Sequence, residues 1–211
     1  MIKIFDLYMD AIKKIGLEQT IIYLIITSGI VLIYARVTKN FIDAKKQKNT
    51  KKKEVKSIVE TASMTMFFIF IWLVISLKLG DFSYHNLYFN IIAVIIYIIG
   101  VIFNLLGRYY LGNNWGNHVV IYQNHNLVNK GVYKIVRHPL YASIIWMIYS
   151  VGILCQNYLV IILNTIIFIP FMYYRAKQEE KELLKIFNEY GEYAKNTGMF
   201  FPKIIKKKKV N

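Results

Sequence analysis

Three apolar runs of spanning length stand out along the chain, at 18–36, 58–79 and 87–107, each close to the ~20 residues that cross the hydrocarbon core of a bilayer. A fourth stretch, 140–174, is 35 residues long. As one straight helix it would extend ~52 Å, well beyond a core of ~30 Å. Gln156 and Asn157 interrupt it, so the pattern predicts a tight helical hairpin that turns at Cys155, Gln156 and Asn157, with two legs of about sixteen residues. Beyond it, Leu183, Leu184, Phe187 and Tyr190 recur at helical spacing and predict an amphipathic helix that continues from the last span or lies in the membrane interface. Pro170 is expected to kink the last span near its end.

Charge decides the number of crossings. With five helices the segments 36–57, 108–139 and 175–211 share one membrane face and carry nine, four and ten Lys and Arg residues, leaving only Lys3, Lys13, Lys14 and Lys78 opposite. That asymmetry is the one expected when the basic face is cytoplasmic. A single fourth span would instead put the lysine-rich tail outside. The reading is therefore an all-α, polytopic membrane protein of about five transmembrane helices, N-terminus out and C-terminus in, with a cytoplasmic C-terminal amphipathic helix. Residues 1–15 read as an uncleaved lead-in helix. Organisation follows: transmembrane helices 1–3 over 1–106 with a basic loop at 36–57, a core over 107–205 containing the hairpin, and a basic tail at 206–211.

Composition agrees: 56% hydrophobic and 16% aromatic content is too apolar for an ordinary soluble domain of 211 residues. The net charge of +15 does not point to nucleic acid, because the basic residues lie between and beyond apolar runs. Topology and contact with anionic lipids explain them, including the run KKQKNTKKKEVK at 45–56. Cys155 is the sole cysteine, which excludes an intramolecular disulfide and cysteine-based metal centres. The histidines at 85, 118, 125 and 138 lack the spacing and acidic neighbours of a metal site. Gly107, Gly112 and Gly116 form no dinucleotide fingerprint. A transporter would need polar residues midway through its spans, and only Asn104 and Asn164 approach this, both explicable as helix-packing contacts.

Two polar clusters remain as candidate chemistry. Arg175 and Glu179 are four apart and share a helix face, with Glu180 rotated by ~100°. Alone, such a run reads as a solvated, salt-bridged helix. Position changes this, because Arg175 and Glu179 leave the hairpin whose other end is Arg137-His138-Pro139-Leu140-Tyr141, so the hairpin forces both clusters to one place. Pro139 suits the first turn of a helix and keeps His138 extended. A helix start with open amides and Arg137 beside it could hold a carboxylate. Upstream, the glycine-punctuated segments 111–116 and 125–133 are suited to a lid.

The ordered combination LVNKGVYKIVRHPLY, from Leu127, and RAKQEEKELLKIF, from Arg175, resembles the isoprenylcysteine carboxyl methyltransferase family and the wider group of membrane phospholipid methyltransferases. The likeness covers about 105–202. It implies a cytoplasm-facing pocket for S-adenosylmethionine lined by His125, Leu127, Val128, Tyr133, His138, Pro139, Leu140, Tyr141 and Glu179. It also implies Arg175 as the residue that orients the substrate and Glu180 as partner of the paired glutamates. Asn188-Glu189-Tyr190-Gly191 departs from the family's usual Phe-Gly-x-x-Tyr, and Val132 stands where many relatives have proline. The implied reaction is methyl transfer to a lipid or lipid-attached acceptor, catalysed by Arg175 and His138, without metal. The acceptor can be a prenylcysteine carboxyl, a lipid hydroxyl or a phospholipid amine. Methyl transfer from a sulfonium needs positioning and charge balance more than proton transfer. A carboxylate needs no base, whereas an amine or phenol would need His138 or Glu180 in that role. A non-catalytic membrane scaffold is the alternative from another class.

Overall fold

The computed structural model describes residues 16–46, 51–55, 58–82, 86–112, 119–122 and 127–203. The expected lead-in helix, the basic tail, most of the 111–116 segment and His125 lie outside them. In chain order the elements are α1 (Leu17–Lys46), β1 (Lys51–Val55), α2 (Ile58–Ser76), α3 (Leu87–Leu111), β2 (Val119–Tyr122), a 3-10 turn (Gly131–Lys134), α4 (Pro139–Leu154), α5 (Tyr158–Leu163), a π turn (Asn164–Phe168), α6 (Ile169–Ile186) and α7 (Tyr190–Asn196).

Among the described residues, three helices are long and apolar enough to cross a membrane: 17–40, 87–111 and the continuous rod 158–186. Two shorter apolar helices, 64–76 and 139–154, pack with them. Outward faces are apolar too, as at Ile30, Phe70, Trp72, Ile95 and Ile166. Apolar surface on this scale belongs in lipid, and the molecule is an integral membrane protein. The predicted hairpin is present, with α4 and α5 meeting at Cys155–Asn157. The main departure from the all-α expectation is the antiparallel pairing of β1 with β2, in register Lys53 to Ile121 and Val55 to Val119.

Hydrogen bonds assign every described connection to one of two ends. At the first, Asn157 is fully buried and its side chain donates to Leu79 O at 2.8 Å and Asp81 Oδ1 at 2.9 Å while accepting from Val160 N at 3.0 Å. Tyr158 N donates to Gly80 O at 3.0 Å. Gly80 has φ +81°, and a Cβ there would lie 2.6 Å from that of Leu159, so only glycine fits. Asn90 of α3 donates to Glu18 of α1 at this same end, 3.1 Å. At the other end, β1 joins β2, and Arg137 N and His138 N donate to Gly198 O and Met199 O at 2.8 and 3.1 Å. The described parts of the three basic segments therefore share one end of the bundle.

Between the ends, α3 and α4 approach closely over Gly100 and Gly107, where a Cβ would meet Met147 Cγ at 2.6 Å and Leu140 Cδ2 at 3.0 Å. Asn104 and Asn164 are packing contacts, as expected. Asn104 Nδ2 donates to Ser143 Oγ at 2.9 Å and Asn164 Nδ2 donates to Ile145 O at 3.0 Å. Pro170 is accommodated by the π turn, whose wider loop lets Ile169 N reach back to Asn164 O and absorbs the amide that proline lacks. The amphipathic helix is not continuous: Phe187 turns extended at φ −116°, ψ 107°, and α7 then folds back toward α4.

Candidate active site

Two helix termini build the site. His138 is the residue just before α4, with Pro139 in the first helical turn. Three residues on, Tyr141 lies over the same face, and the two rings are stacked at 5.7 Å and 7°. From α6 come Arg175 and Glu179, one turn apart, and Glu180. The hairpin turn lies at the far end of both helices, so the rods return to the same height.

The two glutamates divide these partners between them. Glu179 accepts from Tyr141 Oη and stands 3.6 Å from His138 Nδ1 and 3.7 Å from Arg175 Nε. Glu180 takes Arg137 Nε at 2.8 Å, Lys177 Nζ at 3.2 Å and His138 Nε2 at 3.3 Å. The Arg175 guanidinium also sits 5.6 Å from the centre of the Tyr141 ring, within cation–π range. His138 is thus held between two carboxylates. Burial alone would lower its pKa, but the hydrogen bonds and charges of Glu179 and Glu180 outweigh this and raise it above 6.5.

That sign makes a prediction. A folded-state pKa above the unfolded one gives stability that is fully present below pH 6.5 and is lost as pH rises through the raised value. Melting temperature in detergent is expected to fall above pH 6.5, and His138→Gln to flatten that fall. An unchanged pH profile in the variant would refute the ion-pair assignment.

Of the residues implied to line a cofactor pocket, His138, Tyr141, Glu179 and Glu180 are in direct contact with one another. Tyr133 is buried beside them: its hydroxyl points at Gly107 O, 3.4 Å away, and its carbonyl accepts from Tyr193 Oη at 2.6 Å. Pro139 and Leu140 pack on Gly107 and support the α4 start. Leu127 faces outward into an open polar groove of about 510 Å³, shared with Lys134, Tyr193, Asn196 and Thr197. Val128 is half-buried. Arg137 is not presented to a ligand carboxylate as expected. Besides Glu180, its guanidinium donates to Ala194 O at 2.9 Å and to Thr197 O, so it clamps the returning chain.

Three contributors escaped the sequence reading. Arg108, in the last turn of α3, is buried and donates from Nε to Asn104 Oδ1 at 2.9 Å; an arginine four residues after a mid-span asparagine was the available signal. Phe200 lies edge-on to His138 at 6.2 Å, and nothing local in the sequence announces it. Met64 of α2 receives a 3.3 Å contact from Arg175 Nη1 on its sulfur, across 111 residues.

Parts of the chain are similar to known proteins. The family model described as the isoprenylcysteine carboxyl methyltransferase family matches residues 92–185. A methanethiol S-methyltransferase of Pseudomonas deceptionensis is 36% identical over 74 residues, 35% of this chain and 27% of that protein. A cobalt-zinc-cadmium resistance protein, CzcN, of Cupriavidus metallidurans is 30% identical over 39% of this chain and 38% of that one. The protein-S-isoprenylcysteine O-methyltransferase of Saccharomyces cerevisiae is 27% identical over 60% of this chain and 54% of that one. The chain thus spans between about a quarter and about half of the length of these relatives. Among solved structures, a eukaryotic intramembrane Ras methyltransferase shares the fold, with a TM-score of 0.56 and 22% identity over 71% of this chain and 55% of that one. Residues 92–185, which carry His138, Tyr141, Arg175, Glu179 and Glu180, match the model of the isoprenylcysteine carboxyl methyltransferase family.

Proposed function

We propose that this protein is an S-adenosylmethionine-dependent membrane methyltransferase acting on a lipid or lipid-attached acceptor at the cytoplasmic leaflet, with five transmembrane helices, N-terminus out and C-terminus in. The observation that carries the reading is the meeting of Tyr141 and Arg175 on one carboxylate, Glu179, at the basic end of the bundle. The match of residues 92–185 to the family model and the similarity to two methyltransferases support it.

The residues suit a sulfonium nucleoside. Glu179 keeps 26% of its side chain exposed, so its carboxylate can exchange a protein donor for an ammonium or ribose hydroxyls. Tyr133 and Tyr141 offer aromatic faces to adenine or to a cationic sulfur. Leu127 and Val128 would close the outer side. The cofactor supplies an electrophilic methyl group for in-line displacement. Arg175 holds the acceptor's anionic group, with Glu179 fixing its guanidinium from one side. His138 bridges the glutamates and holds the two helix ends at one spacing.

His138 is better placed to hold a proton than to take one, since both ring nitrogens face carboxylates and its pKa is raised. Acceptors that are already anionic, or readily so, are therefore favoured: a carboxylate, or the thiolate that the Pseudomonas relative's name suggests. Phospholipid amines and lipid hydroxyls, which need a base, are the weaker readings. The basic loops at 36–57 and 206–211 would hold this face against anionic lipid.

Membranes bearing the protein, incubated with methyl-labelled S-adenosylmethionine, are expected to place label in the lipid-extractable fraction or on lipid-modified protein. Base-labile label would identify a carboxyl ester, and base-stable label a thioether, an ether or an N-methyl amine, which the mass of the product distinguishes. Purified protein that neither binds the cofactor nor transfers label would leave a non-catalytic scaffold as the surviving reading.

A further inference from the structure

On α2, Met64, Phe67, Ile71 and Val74 form a helical stripe that faces the bundle. Val74 and Ile71 are buried, Phe67 stacks on Phe168 at 4.8 Å, and Met64 is the half-buried last member at the site end. The opposite face, with Met66, Ile69, Phe70 and Trp72, is exposed to lipid. This helix is consequently a wall one helix thick between the bilayer and α6. Phe168 and Arg175 are two turns apart on one face of the antiparallel partner, so the stacking that seats Phe67 also sets Met64 against the arginine.

The contact there, 3.3 Å from Arg175 Nη1 to Met64 Sδ, joins a cation to one of the weakest acceptors among protein side chains. An anionic acceptor atom bonds a guanidinium far more strongly and would displace the thioether. Methionine suits displacement: it is unbranched, turns about three bonds and repacks readily. Phe67, Phe171 and Met172 belong to the same apolar cluster as Met64, so an apolar group that took the place of the Met64 side chain would meet apolar surroundings.

We propose that Met64 is a specificity-determining residue: its side chain fills the lipid-side approach to Arg175, and the length of apolar chain that an acceptor can carry is set by how far Met64 yields. The proposal rests on the methyltransferase reading and extends it to acceptor selection. One methylene in an apolar pocket discriminates by about tenfold or more, and Met64→Ala removes several heavy atoms.

The test uses full-length protein in nanodiscs, methyl-labelled S-adenosylmethionine, and two acceptor series of graded chain length: N-acetyl-S-alkylcysteines and alkanethiols. Met64→Ala is expected to raise the ratio of kcat/KM for the longest over the shortest acceptor by about tenfold, and Met64→Phe to lower it by a similar factor. Cofactor affinity, unchanged in both, establishes that the variants are folded. Ratios within about twofold of wild type in both variants would overturn the proposal. So would a wild type that binds the cofactor and methylates no member of either series, since an apolar thiol or carboxyl acceptor is what the gate selects. A wild type with no cofactor binding refutes the methyltransferase reading and the gate with it.

Discussion

Glu179→Ala is expected to weaken S-adenosylmethionine binding by about a hundredfold, whereas Glu182→Ala leaves it within a few-fold of wild type. The carboxylate of Glu179 is where Tyr141, His138 and Arg175 converge. Removing it takes away the anion facing a cationic ligand and leaves two cationic side chains at the same spot. A charge-assisted hydrogen bond contributes about 1.5–3 kcal/mol, and each 1.4 kcal/mol is a factor of about ten in affinity. Glu182 pairs with Lys185 at 2.6 Å on the exposed flank, so it serves as the control. Glu179→Gln separates charge from shape, because the amide oxygen can still accept from Tyr141. Its fold is expected to survive while binding falls. Titration calorimetry in detergent reads all three, and wild-type affinity in Glu179→Ala would remove Glu179 from the cofactor site.

The second large effect is structural. Arg137→Ala is expected to destabilise the site face by about 3–5 kcal/mol, the cost typical of breaking one side of a buried ion pair. Glu180, 5% exposed, would lose its closest cation at 2.8 Å, and the carbonyls of Ala194 and Thr197 would lose their donor. The segment from α7 to Phe200 is pinned to the α4 start by that guanidinium and by the amides of Arg137 and His138 on Gly198 and Met199. Limited proteolysis after residue 186 is expected to accelerate together with a lower melting temperature. Arg137→Lys should recover only part of the loss, since one ammonium cannot copy a planar fork that bonds a carboxylate and two carbonyls. Combining Arg137→Ala with Glu180→Ala should cost less than the sum of the two single losses. Strict additivity would show that the pair is not coupled.

Much of the architecture was legible because lipid imposes one dominant rule: a spanning segment must bond its own backbone and be apolar along its length. That rule made the spans and the division at Gln156 and Asn157 visible. It also fixed the parity that puts Arg175 and His138 at one end. Asn157 announced a turn but not its partner, Asp81, because that pairing depends on how α2 enters the far end. Phe187 fits a helical stripe as well as any neighbour. Its extended backbone follows from α7 docking on Arg137, a contact across more than fifty residues.

The site divides in the same way. His138, Pro139 and Tyr141 are grouped by local spacing, as are Arg175, Glu179 and Glu180, so both halves and their meeting were readable from the chain. Which glutamate faces which cation was not, since residues one apart on a helix point ~100° apart and only the packed partner decides which looks inward. The role of Arg137 changed for that reason: next to a helix start it reads as a ligand for an anion, yet the returning C-terminal chain supplies the acceptors that occupy it. The sequence by itself thus determined a largely helical membrane body and two polar clusters joined by a hairpin, because periodicity, charge and chain reach are local properties. Only the tertiary structure decided the division of labour between Glu179 and Glu180, the clamp at Arg137 and the methionine standing before Arg175. Each depends on contacts made across 38 to 111 residues, which no local pattern encodes.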